Sequence, residues 1–159
     1  MFQLASSMRY TSKFHFNVYI DNNCVSQQLI IMIRDLDIST CSTVQVNISA
    51  FPPDLKDKRK NILWNKVCGE SADAEGKVLG LQWQDNYSVH FLSTIHLLEE
   101  QNISEHKKSQ SSSSNSTAIH CVFSSHVRVN IPIPTITDNY NHYKVGVDVM
   151  DQYCSYYFT

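Results

Sequence analysis

Glycine and proline are scarce, at four residues each in 159, and no glycine-rich loop able to cradle a phosphate can be assembled from so few. The five cysteines (Cys24, Cys41, Cys68, Cys121 and Cys154) are odd in number and scattered, with no Cys-x-x-Cys pair. That argues against a disulfide framework and against a zinc site, and it fits a reducing compartment. The seven histidines are equally dispersed, with no His-x-x-x-His spacing to suggest a metal. His90 and His96 flank Leu92-Ser93-Thr94, but a Ser-His hydrolase would need a Gly-x-Ser-x-Gly elbow, which is absent. There is no excess of positive charge. Thirteen Lys and Arg stand against fifteen Asp and Glu, a net charge of -2, so no global field draws the chain onto DNA. Lys56 to Lys60, with Asp57 inside it, is the one basic concentration, and it reads as a solvated loop. No apolar run reaches membrane-spanning length, and Met1 to Lys13 is too polar for a signal peptide. The expectation is a soluble intracellular chain forming one domain, with no membrane partner.

Periodicity supplies the positive signals. Phe14, Phe16, Val18 and Ile20 alternate with polar or half-polar residues, the pattern of a strand. The strand stops at Asp21-Asn22-Asn23, a polar break suited to capping a helix. From Cys24 to Leu36 the spacing becomes helical, with Val25, Leu29, Met32, Ile33 and Leu36 in one stripe. A strand ending in an acid and followed by an amphipathic helix is typical of α/β architecture, where chemistry gathers at strand ends. Thr43 to Ile48 predicts a second strand, ended by Phe51-Pro52-Pro53. Residues 54 to 76 are charged, with Ile62-Leu63-Trp64 as an apolar island. Leu79 to Trp83, a turn at Asp85-Asn86-Tyr87, and Val89 to Leu92 predict a β-hairpin. Residues 101 to 117 hold little that is apolar and predict a flexible serine loop. Ile119 to Phe123 and Val127 to Ile131 read as strands, closed by Pro132 and Pro134.

The C-terminal stretch carries the candidate chemistry. On a helix, Asp148, Asp151, Gln152 and Ser155 share one face, while Val147, Met150, Cys154 and Tyr157 share the other. Acids near a helix start suit the macrodipole. Paired carboxylates on a rigid support would equally suit Mg²⁺ or Mn²⁺, hard ions that want oxygen ligands. The residues alone leave both readings open.

Tyr140-Asn141, followed by Gly146-Val147-Asp148-Val149-Met150-Asp151-Gln152, resembles the signature that closes the catalytic domain of piggyBac-type transposases. Three more stretches agree in order. Val18-Tyr19-Ile20-Asp21-Asn22 is similar to the family's strand bearing its second catalytic aspartate. Ser42-Thr43-Val44-Gln45-Val46-Asn47 with Phe51-Pro52 resembles its Gly-Thr-Val-Arg-x-Asn-Arg…Phe-Pro stretch. Trp83-Gln84-Asp85 with Val89 to Thr94 resembles its Trp-x-Asp…Val…Leu-Ser-Thr block. The resemblance covers roughly residues 14 to 157.

The resemblance implies an α/β fold, a partial RNase H-like (retroviral integrase-like) fold with a β-rich insertion and its central first strands missing. Residues 14–50 would form a core strand–helix–strand, 54–118 the insertion with its flexible loop at 101–117, and 119–159 the closing strands and acidic helix. Asp21 would take the second acidic position and Asp148 the third, with Asp151 as an auxiliary acid. Asp21 and Asp148 would ligate Mg²⁺ or Mn²⁺ for DNA cleavage and strand transfer, with transposon ends as partner. The family's first aspartate has no match, since none of the 20 residues before Asp21 is acidic. The chain is therefore expected to begin inside the fold and to be catalytically incomplete. The alternative is a non-catalytic, domesticated remnant that binds nucleic acid or protein. Gln45 and Ile48 stand where the family has arginines, and Ser42 where it has glycine, which removes phosphate contacts. The family also implies nuclear localisation and is compatible with a homodimer.

Overall fold

A computed structural model describes residues 16–22, 25–48, 51–57, 62–108 and 116–146, and every structural statement below concerns these. Strand β1 (Asn17–Ile20) ends on a buried isoleucine. Helix α1 (Gln27–Arg34) follows, and its start is fixed by Ser26, whose extended backbone lets Oγ accept from the Leu29 N–H at 3.1 Å. The cap is thus Ser26 and not the Asp21-Asn22-Asn23 break. Ile30 and Ile33, one helical step apart, are fully buried. Ile33 packs with Ile20 and Ile38 to clamp α1 onto β1. A turn at Asp37, whose φ of 58° is one that Asp tolerates, delivers the chain to β2 (Ser39–Thr43). Strand β2 runs parallel to β1, with Asn17 opposite Ser39 and Ile20 opposite Ser42.

The second strand therefore lies earlier than Thr43 to Ile48. Its residues Thr40, Cys41 and Ser42 are all buried but small or polar, so apolar alternation did not mark it. Val44 still donates to the His90 carbonyl before the chain turns at Val46-Asn47. After the short α2 (Pro53–Asp57), strands β3 (Val67–Ser71), β4 (Leu79–Gln84) and β5 (Ser88–Ser93) complete a sheet of order β1-β2-β5-β4-β3. Only β1–β2 is parallel; the β4–β5 hairpin pairs as its sequence predicts. Gly80 lets α2 approach closely, because a Cβ there would lie 2.7 Å from the Pro52 ring.

The next segment differs from its sequence expectation. Gln101–Lys107 is not a flexible loop but strand β6, paired antiparallel with β7 (Arg128–Pro134) from Gln101↔Pro134 to Lys107↔Arg128. Its half-buried residues are Asn102, Ser104 and His106, so it is held by polar contacts that a search for apolar alternation passes over. Ile119 to Phe123 is likewise not a strand but part of helix α3 (Ser116–Phe123). Ile119 and Phe123, four residues apart, are its buried pair. Pro132 and Pro134 lie inside β7, where a two-stranded ribbon leaves one edge free of ladder bonds. Helix α4 (Thr135–Tyr143) follows at once.

The sheet is covered on both faces. Leu92, Val44 and Val78 meet Ile30 of α1 and Phe51 and Leu55 around α2 on one side. Leu81, Trp83 and Phe91 meet Ile119 and Phe123 of α3, Ile131 and Ile133 of β7, and Ile136 and Tyr140 of α4 on the other. The architecture is mixed α/β. No helix among the described residues is long and apolar enough to cross a membrane.

Candidate functional site

Asp21 stands directly after β1, half-buried at the end of the strand. The peptide before it is held from two elements. Ser42 Oγ of β2 donates to the Ile20 carbonyl at 2.8 Å, and the Tyr140 hydroxyl of α4 donates to the same oxygen at 3.5 Å. Tyr140 also shares a 3.0 Å hydrogen bond with Thr43 Oγ1. The Tyr19 ring stacks on Tyr143, with centroids 4.7 Å apart, and burial raises the Tyr19 phenol to about 12, helped by neighbouring Cys41 and Tyr143. So α4 docks at the strand end that carries Asp21, and the described chain then runs on to Gly146.

Asp148 and Asp151 lie outside the described residues, so of the three expected site carboxylates only Asp21 has a described setting. Among the described residues no three His, Cys, Asp or Glu side chains gather closely enough to hold a metal. Asp21 offers the hard oxygen donor that Mg²⁺ or Mn²⁺ prefers, and one carboxylate by itself does not complete such a site.

Two polar clusters join distant parts of the chain. Ser93 Oγ lies 3.0 Å from His96 Nδ1, and His96 Nε2 accepts from Asn139 Nδ2 at 3.1 Å. With Nε2 accepting, Nδ1 carries the proton and donates to Ser93. Ser93 Oγ also accepts the backbone N–H groups of Ile95 and His96. Desolvation lowers the His96 pKa, opposed by Glu100, while burial pushes the Cys41 thiol up to about 12 despite the Ser93 hydroxyl that bonds it. Ser93 and Cys41 are almost wholly buried, so this cluster acts as a structural joint and not as a nucleophile with its base.

The second cluster was not legible in the sequence. Asp85 Oδ1 receives Trp64 Nε1 at 3.3 Å and His106 Nε2 at 3.1 Å. Asp85 belongs to the Trp83-Gln84-Asp85 block, but His106 lies in the stretch expected to be a loop. On the opposite face, an open groove of about 640 Å³ is lined partly by Gln45, Asn47, Gln84, Asn86 and Tyr87. Its lining holds no Lys, Arg, Asp or Glu.

The family model described as Transposase IS4 matches residues 3–159, nearly the entire chain. No curated protein gives a significant match. Among solved structures, the chain is similar to one in a cryo-EM structure of the piggyBac transposase synaptic complex with hairpin DNA, with a TM-score of 0.56 and 19% identity. That similarity covers 96% of this chain and 27% of the other, so the chain spans about a quarter of that protein's length and shares its fold there. The chain belongs to the family described as Transposase IS4, and over its length it shares the fold of the piggyBac transposase.

Proposed function

We propose that the chain derives from the catalytic core of a cut-and-paste DNA transposase, an RNase H-like fold in which Asp21 and Asp148 are two corners of a divalent-metal site. The observation that carries this reading is the docking of α4 on β1. Tyr140 and Tyr143 hold the segment leading toward Asp148 against the strand that ends in Asp21. In this reading residues 14–50 and 119–159 form the core and 54–118 the insertion. Direct pairing of β2 with β5 makes the insertion continuous with the core sheet.

Asp21 and Asp148 would present carboxylate oxygens to Mg²⁺ or Mn²⁺, with Asp151 beside Asp148 as a further acid. Such ions, when bound, neutralise the attacking and leaving oxygens of an in-line displacement at phosphorus. The protein's own contribution, on the described residues, is to hold the strand end that carries Asp21 against α4, through the Ser42 and Tyr140 bonds to the Ile20 carbonyl. In this reading the two carboxylates of this chain bind the metal. Transposon-end DNA is the ancestral partner, the nucleus the site of action, and a homodimer the assembly in which two such sites would act together.

Calorimetry with Mn²⁺ tests the site. Wild-type protein should bind, and Asp21→Asn and Asp148→Asn should each weaken binding by roughly tenfold or more. Unchanged affinity in either variant would remove the pairing of these two residues. Cleavage and joining of transposon-end DNA by the wild-type chain would instead show that the catalytic set is complete. A second reading, a non-catalytic binding module, is favoured by Gln45 and Ile48 in place of arginines, and it predicts no metal binding at all.

A further inference from the structure

On the face of the sheet that carries Trp83 and Phe91, a cavity of about 330 Å³ lies beneath β7 and α4. It falls at the small end of ligand pockets, which run roughly 300–1,000 Å³, and has room for a base and its sugar. Trp83, Phe91 and Tyr140, core residues each under a tenth exposed, give it an aromatic margin. Thr137 lines it too. This residue is only 5% exposed, and its Oγ1 has no hydrogen-bond partner. A native fold rarely leaves a buried hydroxyl unsatisfied without a ligand or ordered water to meet it. Asp85 uses Oδ1 for Trp64 and His106, leaving Oδ2 without a protein donor among the described residues. Lys144, at the C-cap of α4, reaches the cavity half-buried and has no ion-pair partner among the described residues.

The cavity thus combines aromatic walls, an acceptor carboxylate, an orphaned hydroxyl and a cation. A small aromatic acid would satisfy Lys144 but face Asp85 as a like charge. A base with an exocyclic amine offers a donor to Asp85, a polar edge to Thr137, and a flat body to the walls. Its phosphate gives Lys144 a partner. We propose that this cavity binds a single nucleotide carrying an amino-bearing base, either free or projecting from a strand. The base lies against the cavity-facing margin of this aromatic cluster, and the phosphate meets Lys144. Asp21 does not line this cavity, although Tyr140, which does, also bonds the Ile20 carbonyl beside it, and the binding does not rely on metal chemistry at Asp21.

Tryptophan fluorescence and calorimetry on the full chain, with guanosine, adenosine, cytidine and uridine monophosphates, test it. The three amino-bearing nucleotides should bind and quench fluorescence, with uridine monophosphate weaker by roughly tenfold. Inorganic phosphate should not compete. Lys144→Gln should weaken nucleotide binding by roughly tenfold while leaving the corresponding nucleosides unchanged. Thr137→Val removes only an unpartnered hydroxyl, so it should fold at least as stably as wild type and still bind more weakly. Binding of none of the nucleotides, equal binding of all four, competition by phosphate, or wild-type affinity in both variants would overturn the proposal. Displacement of guanosine monophosphate by a single-stranded oligonucleotide would identify a strand residue as the occupant, and its absence a free nucleotide; displacement by paired duplex alone would overturn both. Asp21→Asn should leave these affinities intact, so failure of the metal site and failure of the nucleotide site are separately visible.

Discussion

On one face of the five-stranded sheet, α1 and α2 press Ile30, Ile33 and Leu55 onto the strand residues Ile20 and Leu92 and onto Val44 just past β2. On the other, β6 contributes Asn102, Ser104 and His106, and its attachments are directional. Asn102 donates to Asp138 of α4 at 3.0 Å, His106 meets Asp85, and Asn65 bridges Trp83 Nε1 to the Pro132 carbonyl. Apolar burial is non-directional and scales with area, so the helical face should lose stability in proportion to volume removed. A hydrogen-bonded joint depends on each partner, and removing one strands the other. The sheet is therefore held by apolar burial on both faces, with a directional polar layer added on the ribbon side.

The comparison is sharpest under substitution. Ile33→Ala, at a fully buried position between α1 and β1, should cost about 2–5 kcal/mol in urea unfolding. A cost well under that range would mean that α1 is not clamped as described. On the ribbon face, Asn65→Ala should cost about 1–3 kcal/mol by leaving the Trp83 N–H and the Pro132 carbonyl unmet. Asn65 has φ 58°, so Asn65→Gly loses the same bonds without backbone strain. The gap between the two variants isolates the strain, and equal stabilities would show that it contributes nothing.

The same contrast governs what could be read from the residues. Strand β1, helix α1 and the β4–β5 hairpin announce themselves because their buried positions are apolar and regularly spaced. Strand β2 is buried on both faces yet built from Ser, Thr and Cys, so apolar alternation points several residues downstream of it. Strand β6 has polar residues at its inward positions and Ile103 facing solvent at 72% exposure, an inverted pattern that mimics a loop. In α3, Ile119, Cys121 and Phe123 alternate like a strand, although only the first and last are buried. Asp21 at a strand end was legible from local pattern, since a polar break after an apolar strand needs no tertiary knowledge. The Asp85–His106 pair and the cavity at Thr137 and Lys144 were not, because they exist only where the ribbon folds back on the sheet.

His96 gives the smallest and most specific measure of that fold-back. It is 5% exposed, and its Nε2 accepts from Asn139 on α4, so it is part of the attachment between the sheet and the ribbon side. Desolvation lowers its pKa below 6.5 in the fold, with Glu100 opposing in part. The folded chain therefore keeps His96 neutral at pH values where the unfolded chain has begun to take up a proton. Above about pH 6.5 the group has no effect on stability; as pH falls through that value the unfolded state binds more protons and stability drops, until the folded pKa is reached. Melting temperature should decline as pH falls below about 6.5, and His96→Gln should show a shallower decline over the same interval. Comparing slopes cancels the other titrating groups. Identical slopes in the two proteins would mean that His96 is solvated and that the α4 attachment is looser than its hydrogen bond to Asn139 implies.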